Sequence, residues 1–77
     1  MYIDKDINDI RWDFKLDDGY VSEMLLMKSA AGWYFGRVIE IIYDFRDGIQ
    51  KGIEPFDRAT DYLTHEEAQK LERYYLD

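Results

Sequence analysis

Ile10, Trp12, Phe14 and Leu16 alternate with Arg11, Asp13 and Lys15. A period of two with apolar residues on one side predicts a half-buried antiparallel strand. Asp17-Asp18-Gly19 follows as a turn, with glycine expected to supply a positive φ. Tyr20 to Met27 read as a second strand ending at Lys28. A helix over residues 20–28 is the alternative, because Met and Leu favour helices; the neighbouring turn signals favour the strand. Ser29-Ala30-Ala31-Gly32 then closes a hairpin, and Trp33 to Phe45 form a long strand. The pairs Val38-Ile39 and Ile41-Ile42 put apolar groups on both faces of it. That pattern fits either a central strand covered on both sides or a bulge at Gly36 that switches faces.

Arg46-Asp47-Gly48 and Lys51-Gly52 bracket a polar turn, and Ile53 to Arg58 form a fourth strand. Pro55 lacks an amide donor and predicts that this strand lies at an edge. Thr64-His65-Glu66-Glu67 is a capping box, in which the Thr64 hydroxyl accepts from the Glu67 amide and the Glu67 carboxylate reaches back. Ala68, Leu71 and Tyr75 line one face of the helix that follows, with Leu63 and Ala68 as a hydrophobic staple. Residues 1–9 are either a loose acidic arm or a single helical turn. The expected fold is α+β: one domain, an antiparallel β-meander of three to four strands with a C-terminal helix packed on one face.

Composition sharpens this picture in two places. The chain has 77 residues and no cysteine, so neither disulfides nor a thiolate zinc site can staple so small a core. Aromatic residues make up 17% of it, and each can bury roughly 150–250 Å². The net charge of −7 opposes phosphate-backbone or anionic-membrane binding and permits attraction to a basic partner. No apolar run reaches the ~20 residues of a membrane-spanning helix, and residues 1–4 do not open a signal peptide. A cytoplasmic location is expected.

Catalytic chemistry finds little support. His65 is the only histidine, and it falls in the first helical turn without a metal-ligating partner. Asp4-x-Asp6-x-Asn8 resembles the start of a calcium loop, but Asp9 stands where glycine is needed and Lys15 where glutamate is needed. Ser22 and Ser29 lack triad partners, and Gly32 and Gly36 flank aromatics instead of opening a helix over a phosphate. The expectation is a non-enzyme without cofactor or metal. Trp33, Tyr34 and Phe35 alternate faces and belong first to the core, then to a protein-facing patch. Residues 1–23 carry seven acids against three bases, residues 54–77 the same, and residues 24–53 three against four. If the two acidic ends converge, they form an acidic surface beside a neutral hairpin.

Lys28-Ser29-Ala30-Ala31-Gly32-Trp33-Tyr34-Phe35-Gly36-Arg37, Glu54 to Tyr62, and Thr64-x-Glu66-Glu67-Ala68-x-x-Leu71 together resemble a pattern in short bacteriophage proteins. That pattern is a KSAAGYYIGR hairpin, a PYSRESGYF segment and a T-x-EEA-x-x-L helix, in the same order. The match covers about residues 24–72; Asp57-Arg58-Ala59-Thr60 departs from the Ser-Arg-Glu-Ser form. The resemblance implies a phage setting and brings no catalytic residues. In style the chain is similar to small acidic phage inhibitors of host defence, including anti-CRISPR proteins that occupy nucleic-acid-binding surfaces. The leading expectation is therefore an inhibitor that covers a basic surface on a host protein or ribonucleoprotein, without itself binding nucleic acid or membrane. Asp13, Asp17, Asp18, Asp57, Asp61, Glu66 and Glu67 are its candidate acids, with Tyr34 and Tyr43 as exposed aromatic contacts. Strand residues two apart lie roughly 6.5 Å from each other, near the spacing of backbone phosphates. The alternative is a homo-oligomer, such as a homodimer, that uses its aromatic sheet face as an interface.

Overall fold

The structure, a computed structural model, describes residues 1–76. Its elements are β1 (Tyr2–Ile3), a 3₁₀ turn (Ile7–Asp9), β2 (Trp12–Leu16), β3 (Gly19–Ser22), β4 (Leu25–Ser29), β5 (Gly32–Phe45), β6 (Gly48–Arg58) and α1 (His65–Leu76). This is an α+β fold with one antiparallel sheet and one C-terminal helix, and the sheet has six strands instead of the three or four expected. The register gives the reason. β3 and β4 both pair with the same edge of β5, Val21 opposite Ile39 and Leu25 opposite Gly36. They are one row interrupted at Glu23–Met24, and β2 and β1 flank its two halves.

The interruption is held by side chains far apart in sequence. The Glu23 carboxylate accepts from Lys5 Nζ at 2.9 Å and from the Arg11 amide at 2.8 Å, which draws the N-terminal segment onto the break. Partial burial pulls the Glu23 carboxyl upward, but these hydrogen bonds outweigh it and leave the group below its usual range. Ser22, fully buried beside the break, replaces the missing strand partner: its Oγ accepts from the Val38 amide at 3.0 Å and donates to the Glu23 carbonyl at 2.8 Å. The buried backbone donor is thereby satisfied.

The Ala30–Ala31 turn joins β4 to β5, and Gly32 adopts φ +137°, in the left-handed region that favours glycine. Gly19 does not have a positive φ. Glycine is needed there because a Cβ would overlap the Glu40 carbonyl oxygen on β5. No extra residue interrupts β5 at Gly36. The irregularity lies opposite Arg37/Val38, where Phe56 is the unpaired residue of β6 between Asp57 and Pro55. β6 also runs five residues further than expected. Lys51–Gly52 lies within the strand, because the Tyr43 ring covers Gly52 and fills the space a side chain would occupy. β6 pairs only with β5, so Pro55 does sit in an edge strand.

Two apolar clusters, one on each face of the sheet, form the core. Leu26 and Phe35 face α1 and meet Ala68, Leu71 and Tyr75, with Phe35 stacked on Tyr75 at 4.8 Å between ring centres. On the other face Leu25, Met27, Tyr34 and Val38 pack with Ile10, against which Ile3, Trp12 and Ile53 close. The capping box forms as the sequence predicts: Thr64 N–H donates to Glu67 Oε1 at 3.0 Å, and Glu67 N–H to Thr64 Oγ1 at 3.2 Å.

Candidate functional site

The order of the rows decides which exposed groups share a surface. On β5, residues 35, 37, 39, 41, 43 and 45 project to the side occupied by α1. Phe14 is opposite Val21, which is opposite Ile39; Leu16 is opposite Gly19, which is opposite Ile41. Phe14, Leu16, Ile41, Tyr43 and Phe45 therefore lie on the helix side. Yet α1 packs chiefly on β4 and β5, near Leu26 and Phe35, and does not extend over them. The result is a half-bare apolar face, on which Phe45 is 52% exposed and stacks on Tyr43 at 5.8 Å. Tyr43 is held by a 2.8 Å hydrogen bond to Glu54, and that bond, together with some desolvation, raises its phenol above the ordinary value.

The candidate acids do not gather into one patch. Asp17 and Asp18 form the β2–β3 turn, level with Ile41 on β5. Asp57 pairs with Arg37 on β5, and Asp61 and Glu66 lie near the Trp33–Leu63 bridge. Eight residues of extended chain, roughly 26 Å at 3.3 Å per residue, separate the Ile41 level from the Trp33 level. Glu67 is occupied in the helix cap. Asp13 is the unpaired residue of a bulge in β2, and its carboxylate accepts from Arg11 Nε at 2.7 Å. That hydrogen bond, aided by the charges of Arg11 and Arg37 and opposed by slight desolvation, holds the Asp13 carboxyl below its usual range. The two acidic ends of the sequence thus form two separate borders. Among the described residues Asp17, Asp18, Asp57, Asp61 and Glu66 make no ion pair.

Tyr34 is not an exposed aromatic contact: only 6% of it is accessible, because it faces Met27 and Val38 in the core. Its ring meets Tyr62 edge-on at 5.8 Å, and the Arg58 guanidinium lies over the Tyr62 ring at 4.5 Å. These three residues, with Pro55 and Phe56, line an open groove of about 590 Å³ on the side of the sheet away from α1. Burial pushes the Tyr34 phenol up, Tyr62 adds to the effect, and Arg58 opposes it. Phe14, Leu16, Phe45, Arg58 and Tyr62 carry these two surfaces and were not singled out from sequence. The alternation predicts Ile10, Trp12, Phe14 and Leu16 on one face, but the bulge at Asp13 splits them. Ile10 and Trp12 join the core on the side away from α1, and Phe14 and Leu16 are left on the helix side, which the helix does not cover.

Basic side chains are mostly engaged. Lys15, Lys28, Arg37 and Arg58 lie over the rings of Tyr20, Trp33, Phe14 and Tyr62, at 4.5 to 5.7 Å. His65 packs against Trp33 at 4.9 Å. Among the described residues no three His, Asp or Glu side chains are placed to hold a metal ion, and no helix is long and apolar enough to cross a membrane. No family model, curated protein or solved structure matches the chain.

Proposed function

We propose that this chain is an interaction protein that works by covering a basic surface on another protein and not by turning over a substrate. The observation that carries the reading is the half-bare face of Phe14, Leu16, Ile41, Tyr43 and Phe45 beside the unneutralised Asp17–Asp18 turn. An apolar patch with an acidic border fits a partner whose own apolar contact is bordered by lysine and arginine. The net charge of −7 steers such a partner and repels nucleic acid. In the phage setting implied by the resemblance of residues 24–72, the partner is a host factor with a basic, nucleic-acid-binding surface, as in a defence nuclease or a CRISPR ribonucleoprotein. Asp61 and Glu66 border the opposite end and lie outside this contact, and Asp57 stands between the two, beside Arg37.

The test is affinity capture from host extract with three baits: the native chain, Asp17→Lys/Asp18→Lys and Phe45→Ser. A partner retained by the native chain, lost with both variants, released by rising salt and competed off by its own nucleic acid supports the reading. Equal capture by all three baits overturns it.

A second reading, a homo-oligomer, is favoured by the β5–β6 ribbon. Residues 42–51 are all exposed, carry Tyr43 and Phe45 on one face and Ile42 and Ile49 on the other, and hold two acids against two bases. A two-stranded ribbon is marginal alone in water, and its charge balance would not repel a second copy. A dimer that persists in light scattering as salt rises would favour this reading.

A further inference from the structure

Tyr34 carries a polar group in an unusual position. The residue is more than nine-tenths buried, yet no hydrogen bond within the described residues reaches its hydroxyl. Every fully enclosed polar side-chain atom among the described residues does have a partner. The Tyr34 hydroxyl is therefore not enclosed, and the opening beside it is the groove shared with Tyr62 and Arg58. Arg58, stacked on Tyr62, makes no ion pair among the described residues, even with the neighbouring Asp57. Pro55 and Phe56 give the groove apolar walls, and its volume of about 590 Å³ falls within the range of small-molecule pockets.

We propose that this groove binds a small organic carboxylate with an apolar body. Arg58 and the Tyr34 hydroxyl hold the carboxylate, and Pro55, Phe56 and the Tyr62 ring cover the body. The choice of ligand follows from the chemistry of the lining. A guanidinium offers paired donors matched to a carboxylate, and the phenol hydroxyl donates one more. Asp57 also lines the groove but makes no ion pair with Arg58 among the described residues, so the guanidinium is left open to an anion brought by the ligand. A neutral or cationic ligand of the same shape would leave Arg58 unmatched. The site lies on the opposite side of the sheet from the docking face, so it stands or falls independently of that reading.

The experiment is an NMR titration of the full chain with three probes: phenylacetate, its neutral isostere phenylacetamide, and inorganic phosphate. Saturable shifts centred on Tyr34, Arg58 and Tyr62 are expected with phenylacetate. Binding of phenylacetamide and of phosphate should be weaker by about tenfold or more, the scale of one lost charge-assisted hydrogen bond. Tyr34→Phe removes only the hydroxyl and Arg58→Gln only the charge; each should weaken phenylacetate severalfold while the melting temperature stays near native. Absence of saturable shifts at these residues overturns the proposal. So does equal binding of acid and amide, or of acid and phosphate, or affinity unchanged in both variants.

Discussion

Replacing Thr64 with alanine removes one half of a reciprocal cap and tests how α1 is anchored. The Thr64 hydroxyl is the acceptor for the Glu67 amide at 3.2 Å, an N-terminal donor that α1 itself cannot satisfy. Loss of such a cap costs about 0.5–2 kcal/mol. With unfolding entropy near 2.1 cal/mol/K per residue, a 77-residue chain loses roughly 3–12 °C of melting temperature for that change. The loss should not become detachment of the helix, because Trp33 and Leu63 exchange both backbone hydrogen bonds, at 2.9 and 2.6 Å, immediately before the cap. Calorimetry at neutral pH, with Thr64→Ser as the control that keeps the acceptor, reads the difference directly. The same site has a pH signature. Hydrogen bonds from the Thr64 amide, then from its side chain, lower the Glu67 carboxyl below its ordinary 4.5. A depressed carboxyl contributes stability above its unfolded value and loses it as pH falls through the folded one. The difference in melting temperature between native and Glu67→Ala should accordingly be full at neutral pH and shrink below about pH 4.5. A Thr64→Ala chain that melts like native, or a Glu67→Ala difference that grows on acidification, would refute the cap as the origin of the helix start.

Two further substitutions probe the sheet. Ser22→Ala strands the buried Val38 amide and should cost about 1–3 kcal/mol in chemical denaturation, with the Val38 amide exchanging its hydrogen faster than in native protein. Gly36→Ala places a Cβ against the Asp57 carbonyl and the Met27 methyl, whereas Gly32→Val strains a turn that already sits at φ +137°. Both should lower the melting temperature, Gly36→Ala by pushing β6 from β5, which would show as loss of protection confined to residues 53–58.

What the sequence made legible is what local chemistry determines. The Ser29–Gly32 turn, the long strand after it, the edge position of Pro55 and the reciprocal cap of α1 each rest on residues within a few positions of one another. The break at Glu23–Met24 does not: it depends on Lys5 and Arg11 reaching Glu23 across the fold, so a single strand over 20–27 was the natural reading. β6 was shortened for a related reason. Lys51-Gly52 has turn composition, and only the Tyr43 ring lying over Gly52 makes that glycine a strand residue.

The surface was less legible than the core, and the cause is register. Charge counts show two acidic ends, but whether they meet depends on which residues of β5 they pair beside. Here Asp17–Asp18 is set at the Ile41 level and Asp61 with Glu66 near Trp33. Burial of Tyr34 has the same origin. Among three successive aromatics, its parity points it away from α1, into the face closed by Ile10 and Met27. The apolar face and the groove therefore sit on opposite sides of one strand, Phe45 on the first and Tyr34 on the second, eleven positions apart. Opposite parity sends them to opposite sides. A substitution at one should leave the other's binding unchanged, because sites on opposite faces with no shared contacts combine additively. Phe45→Ser should thus abolish partner capture and leave the phenylacetate shifts at Tyr34 and Arg58 as in native protein. If Phe45→Ser alters those shifts, β5 couples its two faces, and the surfaces must be treated as one site.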